Sequence, residues 1–282
     1  MQNRRVAVFM PTARCRKWLC SAIDSIIHQT YPHTELYVVD DAGGDVNGEL
    51  TAQYPGVNFL RMKTAHGPYF INNLLLQLTD SEFVAFQDAD DTSHIHRFEA
   101  QIKYIDSDAL DGCGTWAVNR DESGEPLGFD TFSEAVTASV EGGDLYPLLH
   151  PSTLFHRHVF QALGGFDGGT RFGADTEFLF RCCRQFSIGN VQQLLYYHMV
   201  HPSSLTQSPE TGFKSTERKI YSDELMRSIN EIREGLRTDP APGVLLNGRV
   251  AGLESMPEFE LIQLGRGNTT WRGLLNWRRI IN

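Results

Sequence analysis

The sequence predicts an α/β fold: a central, mostly parallel sheet flanked by helices, followed by a helical C-terminal extension. Three observations predict it. Several short apolar runs lack the polar–apolar alternation of half-exposed strands, as expected for strands buried on both faces. Between them lie segments with apolar residues at helical spacing. Two of the runs also end in carboxylates, at the sheet edge where open parallel sheets bind their ligands.

Taken in order, Val6-Ala7-Val8-Phe9-Met10 is the first strand, stopped by Pro11-Thr12. Trp18 to Gln29 is a helix with Leu19, Ala22, Ile23, Ile26 and Ile27 on one face. Tyr31-Pro32-His33-Thr34 breaks it, and Leu36-Tyr37-Val38-Val39 is a second strand ending in Asp40-Asp41. Strand, helix and strand make a βαβ unit. Val57-Asn58-Phe59-Leu60 is the next strand and Phe70 to Leu78 the next helix. Phe83-Val84-Ala85-Phe86 is a strand that again runs into carboxylates. Cys113 to Val118 and Ser152 to Phe155 are further strands, with a hairpin turn at residues 120–125. His158 to Leu163 is a short helix closed by Gly164-Gly165, the usual helix stop. Thr176 to Arg184 is helical, with Asp175 placed to cap it, as a short carboxylate side chain can. Thr216 to Leu236 is a longer helix, and Pro240-Ala241-Pro242-Gly243 is a linker or turn.

Composition narrows the function. With 282 residues, 41% hydrophobic and 21% charged, the chain can bury a full core and suits one α/β domain with a smaller appendage. A net charge of −10 argues against nonspecific nucleic-acid binding. It leaves room for a phosphate ligand, because a bound divalent cation reverses the local sign. No apolar run approaches the roughly 18–20 residues that span a bilayer, and the apolar start is too short for a signal-peptide core. Five cysteines, two of them the neighbours Cys182-Cys183, suggest neither a disulfide framework nor a zinc site. A reduced, cytoplasmic compartment is expected.

Four stretches carry chemistry. In Asp88-Ala89-Asp90-Asp91 the alternate carboxylates Asp88 and Asp90 can converge on leaving a strand, and Mg²⁺ or Mn²⁺ typically joins one or two carboxylates to substrate phosphates. A solvated acidic turn is the plain structural use of such a run. After the second strand, one carboxylate of Asp40-Asp41 could accept the imide N–H of a uracil, while capping the turn is the alternative for either. Phe172-Gly173-Ala174-Asp175-Thr176-Glu177 places two carboxylates in a first helical turn, where the helix dipole keeps them ionised as a general base must be. The same position is also common in purely structural use. His201, in His198-Met199-Val200-His201-Pro202, could add a neutral imidazole as a third metal ligand, or be a structural histidine.

In this order these stretches resemble the family 2 inverting glycosyltransferases of the GT-A fold. The matching residues include Val8-Phe9-Met10-Pro11-Thr12, Ser25 to Pro32, Val38-Val39-Asp40-Asp41 and Phe86 to Asp91 with Arg97-Phe98. They continue in Leu163-Gly164-Gly165-Phe166-Asp167, Gly173 to Glu177 and His201 to Thr206. The likeness covers roughly residues 5–207. It implies a GT-A (Rossmann-like) domain over residues 1–207, with a nucleotide-binding half to about 100 and an acceptor half from 101. A helical extension and a basic, aromatic tail would fill residues 208–282.

The resemblance also implies roles. Pro11, Thr12, Asp41, Asp88 and Ala89 would line the nucleotide-sugar site, with Asp41 on the base and Asp88 on the ribose or a metal-bound water. Asp90 would bind Mn²⁺ or Mg²⁺, and His201 would complete the metal shell. Asp175 would deprotonate an acceptor hydroxyl, with Glu177 orienting the site. The implied reaction moves a sugar from a nucleotide diphosphate, UDP by family weight, to a hydroxyl on a glycan, lipid-linked or other acceptor in bacterial polysaccharide, glycolipid or glycoconjugate biosynthesis. Many relatives carry Ala-Arg-Asn before the acidic strand; here Ile71-Asn72-Asn73 stands instead, without the phosphate-side arginine. A noncatalytic sugar-nucleotide binding module is the alternative. A nucleotidyltransferase fits less well, since Pro11 to Cys15 lacks a glycine-rich phosphate loop. The segment 266–282, with Arg266, Arg272, Arg278 and Arg279 among Trp271 and Trp277, suits peripheral contact with the anionic inner face of a membrane, or docking on its own domain or a homodimer partner.

Overall fold

The computed structural model describes residues 4–144, 146–170, 172–209, 211–234 and 258–265. The chain opens with β1 (Val6–Thr12), α1 (Arg16–Ile27), β2 (Thr34–Asp40), α2 (Gly48–Gln53), β3 (Asn58–Met62), α3 (Pro68–Leu78) and β4 (Phe83–Phe86). There follow β5 (Thr92–Ser93), α4 (Arg97–Asp108), β6 (Gly112–Arg120), β7 (Pro126–Asp130) and α5 (Val136–Glu141). A 3₁₀ turn at His150–Ser152 leads into β8 (Leu154–His156), α6 (Arg157–Leu163), α7 (Ala174–Cys183), β9 (Ile188–Met199), α8 (Thr216–Arg233) and β10 (Phe259–Gln263).

One sheet runs through the molecule in the order β10-β3-β2-β1-β4-β8-β6-β9-β5, with β7 paired to β6. Strands β3, β2, β1 and β4 run parallel to one another, and β6 runs parallel to β9. β8 lies antiparallel between β4 and β6 and joins the two parallel groups.

Alternation along β1 explains the layering. Val6, Val8 and Met10 pack with Leu19, Ala22, Ile23 and Ile26 of α1 and with Phe98, Ile102 and Ile105 of α4. Ala7 and Phe9 face the other way, toward α3, α6 and α7. Both faces are therefore covered, and this is why β1 reads as an unbroken apolar run. Each large side chain so buried contributes about 1.5–3 kcal/mol.

Helix boundaries follow local chemistry. Helix α3 starts with Pro68 behind Gly67, whose φ is 89°, since proline has no N–H to lose at a first helical position. Helix α6 ends at Gly164, left-handed at φ 84°, as its glycine pair predicts.

Several features depart from the sequence reading, and helices α2, α4 and α5 were not anticipated. Strand β8 begins at Leu154, because Ser152 sits in the 3₁₀ turn that precedes it. The long β9 was not anticipated. Residues 259–263, placed in a helical extension, form β10 antiparallel to β3. The linker at Pro240–Gly243 and the tail 266–282 lie outside the described residues. Among the described residues no helix is long and apolar enough to cross a membrane. All five cysteines are free thiols.

Candidate active site

The C-terminal ends of β1, β2 and β4 deliver Thr12, Asp40-Asp41 and Asp88 to Asp91 to one edge of the sheet. Strand alternation separates the two carboxylates after β2. Asp40 is fully buried. Its Oδ1 accepts from the amides of Gly43 (2.7 Å) and Gly44 (3.0 Å), so it holds the loop after the strand. Asp41 is half-buried and accepts from the amides of His66 and Gly67, each at 2.8 Å. Thr12 donates its hydroxyl to Asp45 at 2.6 Å, and Pro11 stands half-buried beside it in β1.

Asp88, Asp90 and Asp91 present carboxylate oxygens that all lie within 4.8 Å of one another. Ala89 between them is buried, as a small residue must be for the turn to close over the sheet. His201 arrives from the end of β9, and its Nε2 lies 2.8 Å from Asp90 Oδ2. Asp91 accepts at Oδ1 from the Met199 amide at 2.7 Å, which ties the end of β9 to the acidic run. Its Oδ2 is buried with no hydrogen-bond partner; the nearby Tyr196 hydroxyl steadies it without a bond of ordinary geometry.

Electrostatics mark the cluster. Burial, then the charges of Asp90 and Asp175, push the Asp88 carboxyl up to about 7, against the pull of Arg97. Asp91 is pushed well above the usual carboxylate range by burial and by Asp90 and Asp88. The Asp88 side chain itself is exposed at the cleft, so solvent screens part of this effect, and a cation entering there would oppose it. A hard oxygen donor set, an imidazole at its edge and an orphaned carboxylate oxygen fit a divalent cation.

Linkage gives this a measurable sign. An unfolded aspartate ionises near 3.9, so a folded value near 7 means the native state holds its proton longer than the unfolded chain does. Metal-free stability therefore declines as pH rises from about 4 to 7 and stays low above it. Asp88→Asn removes that penalty. Because solvent screens this exposed carboxyl, in EDTA it is expected to raise Tm only slightly, by about 1–2 °C, at pH 8 and to leave it nearly unchanged at pH 4. A lower Tm at pH 8 in thermal unfolding would contradict the assignment.

Beneath the cluster lies Arg97, fully buried at the start of α4. It donates to the carbonyls of Phe86 (3.0 Å), Pro151 (3.1 Å) and Thr153 (3.1 Å), to Ser93 Oγ (2.9 Å), and to Gln87 and Gln101 (3.2 Å each). Burial lowers its guanidinium to about 10, and it remains charged at neutral pH. It ties β4 to the turn before β8 and sets a positive charge under Asp88 and Asp91. Arg97→Ala is expected to cost about 3–5 kcal/mol, since those acceptors lose a buried charged partner. Denaturant unfolding measures it.

Across the cleft, α7 carries Asp175 and Glu177 in its first turn. Asp175 does not cap the helix. Gly173 is the N-cap, left-handed at φ 80°, and a Cβ there would lie 2.4 Å from the Tyr221 ring of α8. The Asp175 carboxylate is free to face the cleft, where its Oδ1 accepts from the Tyr69 hydroxyl at 2.9 Å. Burial and the Asp175 charge push the Tyr69 phenol well up, so it stays protonated as a donor. Glu177 is buried, and both its oxygens meet Arg181, at 2.6 and 2.8 Å. Arg181 in turn donates to the carbonyls of Leu163 and Gly165, each at 2.7 Å. Glu177 thus acts through Arg181 to hold the glycine loop before α7.

The structure groups Asp88, Asp90, Asp91 and His201, with Asp175 near enough for its charge to act on Asp88. Asp41 and Thr12 end β2 and β1 at the same sheet edge, Thr12 buried with its hydroxyl turned to Asp45. Sequence reasoning missed Tyr69 as the partner of Asp175, and Tyr196, whose hydroxyl accepts from the Asp88 amide at 3.2 Å. Where an arginine was missing, Asn72 is buried with its Oδ1 unpartnered.

Comparison with known proteins agrees with this geometry. Residues 7–164 match the family described as Glycosyl transferase family 2. An uncharacterized glycosyltransferase of Rickettsia felis is 25% identical over 149 residues, which cover 52% of this chain and 24% of that protein. This match therefore spans about a quarter of its relative's length. Among solved structures, S. aureus TarS 1–349 in complex with UDP-GlcNAc superposes with a TM-score of 0.61 at 20% identity, covering 80% of this chain and 65% of that one. The mannosyltransferase PcManGT from Pyrobaculum calidifontis, in complex with GDP-Man and Mn²⁺, gives 0.58 at 15% identity, covering 84% and 66%. The family match takes in more than half of the chain, including the acidic run and the ends of β1 and β2, and the protein belongs to glycosyl transferase family 2.

Proposed function

We propose that this glycosyltransferase inverts the anomeric centre of a nucleotide-diphosphate sugar, most simply a UDP-sugar, by transferring it to a hydroxyl acceptor in one displacement. The observation that carries this reading is that Asp175 faces the same cleft as the acidic run, close enough that Asp88 feels its charge. Asp175 takes the proton from the acceptor hydroxyl as its oxygen attacks the anomeric carbon. Tyr69 holds that carboxylate in place, and Glu177 steadies the loop beneath it through Arg181. Asp90 and His201 would hold Mn²⁺ or Mg²⁺, and Asp88 would meet the ribose or a metal-bound water. The bound cation supplies charge to neutralise the departing diphosphate. Asp41 and Pro11 form the wall for the base, and the buried Thr12 supports it from behind through Asp45. The UDP-GlcNAc complex of TarS supports the choice of UDP, and the GDP-Man and Mn²⁺ of PcManGT keeps guanosine donors in the test. Acceptors of the polysaccharide, glycolipid or glycoconjugate kind are those the family resemblance implies.

A screen of nucleotide sugars for donor hydrolysis, run with Mn²⁺, Mg²⁺ or EDTA, tests this. Turnover of one donor with either metal and none in EDTA is expected. Equal rates in EDTA remove the metal role of Asp90. Donor binding without turnover for any sugar favours the noncatalytic binding module.

A further inference from the structure

We infer that Trp18 is a positioning residue: its indole face fixes the plane of the His201 imidazole, so that Nε2 is presented with Asp90 to a divalent cation. This rests on the assignment of Asp90 and His201 as ligands proposed above.

His201 lies in the loop that follows β9, outside any helix or strand, so the backbone alone does little to set its ring. Three contacts do. Its Nδ1 lies 2.8 Å from Ser203 Oγ. In the metal-free protein Nε2 carries a proton toward the Asp90 carboxylate, which can only accept, and Nδ1 accepts from the Ser203 hydroxyl. A cation at Nε2 would take that position, with the ring proton on Nδ1 and Ser203 Oγ as its acceptor, the usual outer-shell device. Nε2 faces Asp90 Oδ2 at 2.8 Å. The third contact is Trp18, whose ring centroid is 4.3 Å from that of His201 with 32° between planes. Two in-plane bonds leave the ring free to tilt about the line joining them, and a flat partner against its face removes that freedom.

Trp18 is well placed to be that partner. It stands on α1, a twelve-residue helix anchored in the core by Leu19, Ala22, Ile23 and Ile26. Beside it, Lys17 pairs with Glu122 of the turn between β6 and β7 and lies 5.0 Å from the Trp18 ring. The stack therefore joins the nucleotide half of the cleft to the loop that supplies His201. Trp18 Nε1 is buried with no acceptor, a cost that a purely space-filling side chain would not carry. The ring face, rather than the N–H, is what the site uses.

The test uses the full-length protein without sugar. Mn²⁺ binding is followed by the loss of the free-ion signal in electron paramagnetic resonance and by quenching of tryptophan emission. The variants are Trp18→Phe, which keeps a flat ring, and Trp18→Leu, which keeps bulk without one. Wild type is expected to bind Mn²⁺ with partial quenching. Trp18→Phe is expected to bind equally well but lose that quenching, while Trp18→Leu binds about tenfold or more weakly, the scale of losing an outer-shell partner. Unchanged thermal unfolding of Trp18→Phe shows that the fold is kept. Wild-type affinity in Trp18→Leu, or quenching that persists in Trp18→Phe, overturns the inference. Failure of wild type itself to bind Mn²⁺ overturns the ligand assignment first, and is told apart by that single measurement.

Discussion

Replacing Asp175 with asparagine is expected to lower sugar transfer by about 10²–10⁴-fold, the range typical of a lost general base, while donor affinity stays at the wild-type value. Asparagine keeps the shape of the side chain and an oxygen to accept the Tyr69 hydroxyl at the position now 2.9 Å away. Only the capacity to take a proton is removed. Helix α7 does not depend on Asp175 for capping, since Gly173 fills that position, so the variant should unfold at the wild-type temperature. Initial rates of transfer, beside donor affinity by calorimetry, check both halves. Transfer at the normal rate would place the base elsewhere in the cleft.

The second large effect belongs to Asp90→Ala, for which metal-dependent donor binding is expected to disappear. A first ligand is lost, so the fall should exceed the roughly 10–100-fold that an outer-shell partner is worth. The fold should tolerate it. Asp90 is half-buried beside two other carboxylates, and its charge raises both Asp88 and Asp91. Removing it relieves that repulsion in the metal-free protein, although it leaves His201 Nε2 without its acceptor. Donor titrations with and without Mn²⁺ give the answer directly: if Mn²⁺ still strengthens donor binding in the variant, Asp90 is not the ligand.

How much of this was legible in the sequence depended on how local the cause was. Strands β1, β2 and β4 announced themselves because burial on both faces writes an apolar run that needs no partner to be read. The acidic run and the order of the motifs were equally plain. The residues alone did not separate the roles of Asp40 and Asp41, which only the family resemblance told apart, although the alternation along β2 that sends one into the core and one toward the cleft is itself a sequence property. Strand β9 was invisible for a different reason. It carries Gln192 and Gln193 at its centre and meets β6 with two register shifts, so its pairing is specified by the partner rather than by its own pattern. Tyr69 was missed, because nothing nearby signals that its hydroxyl meets a carboxylate 106 residues later. Helix start signals pointed to Asp175 as the cap, and the left-handed glycine two residues earlier took that position.

Strand β10 has a consequence for the order of events during synthesis. It seals the edge of β3, and Gln263 hydrogen-bonds the carbonyl of Tyr54, 209 residues earlier in the chain. At a ribosomal pace of about 5–20 residues per second, the bare edge of β3 waits about 10–40 s for its cover. An unpaired edge of that kind is a template for joining strands from other molecules. Chains cut short before residue 258 would keep it open for good, and would be expected to aggregate during expression even though every residue of the proposed catalytic cleft is present.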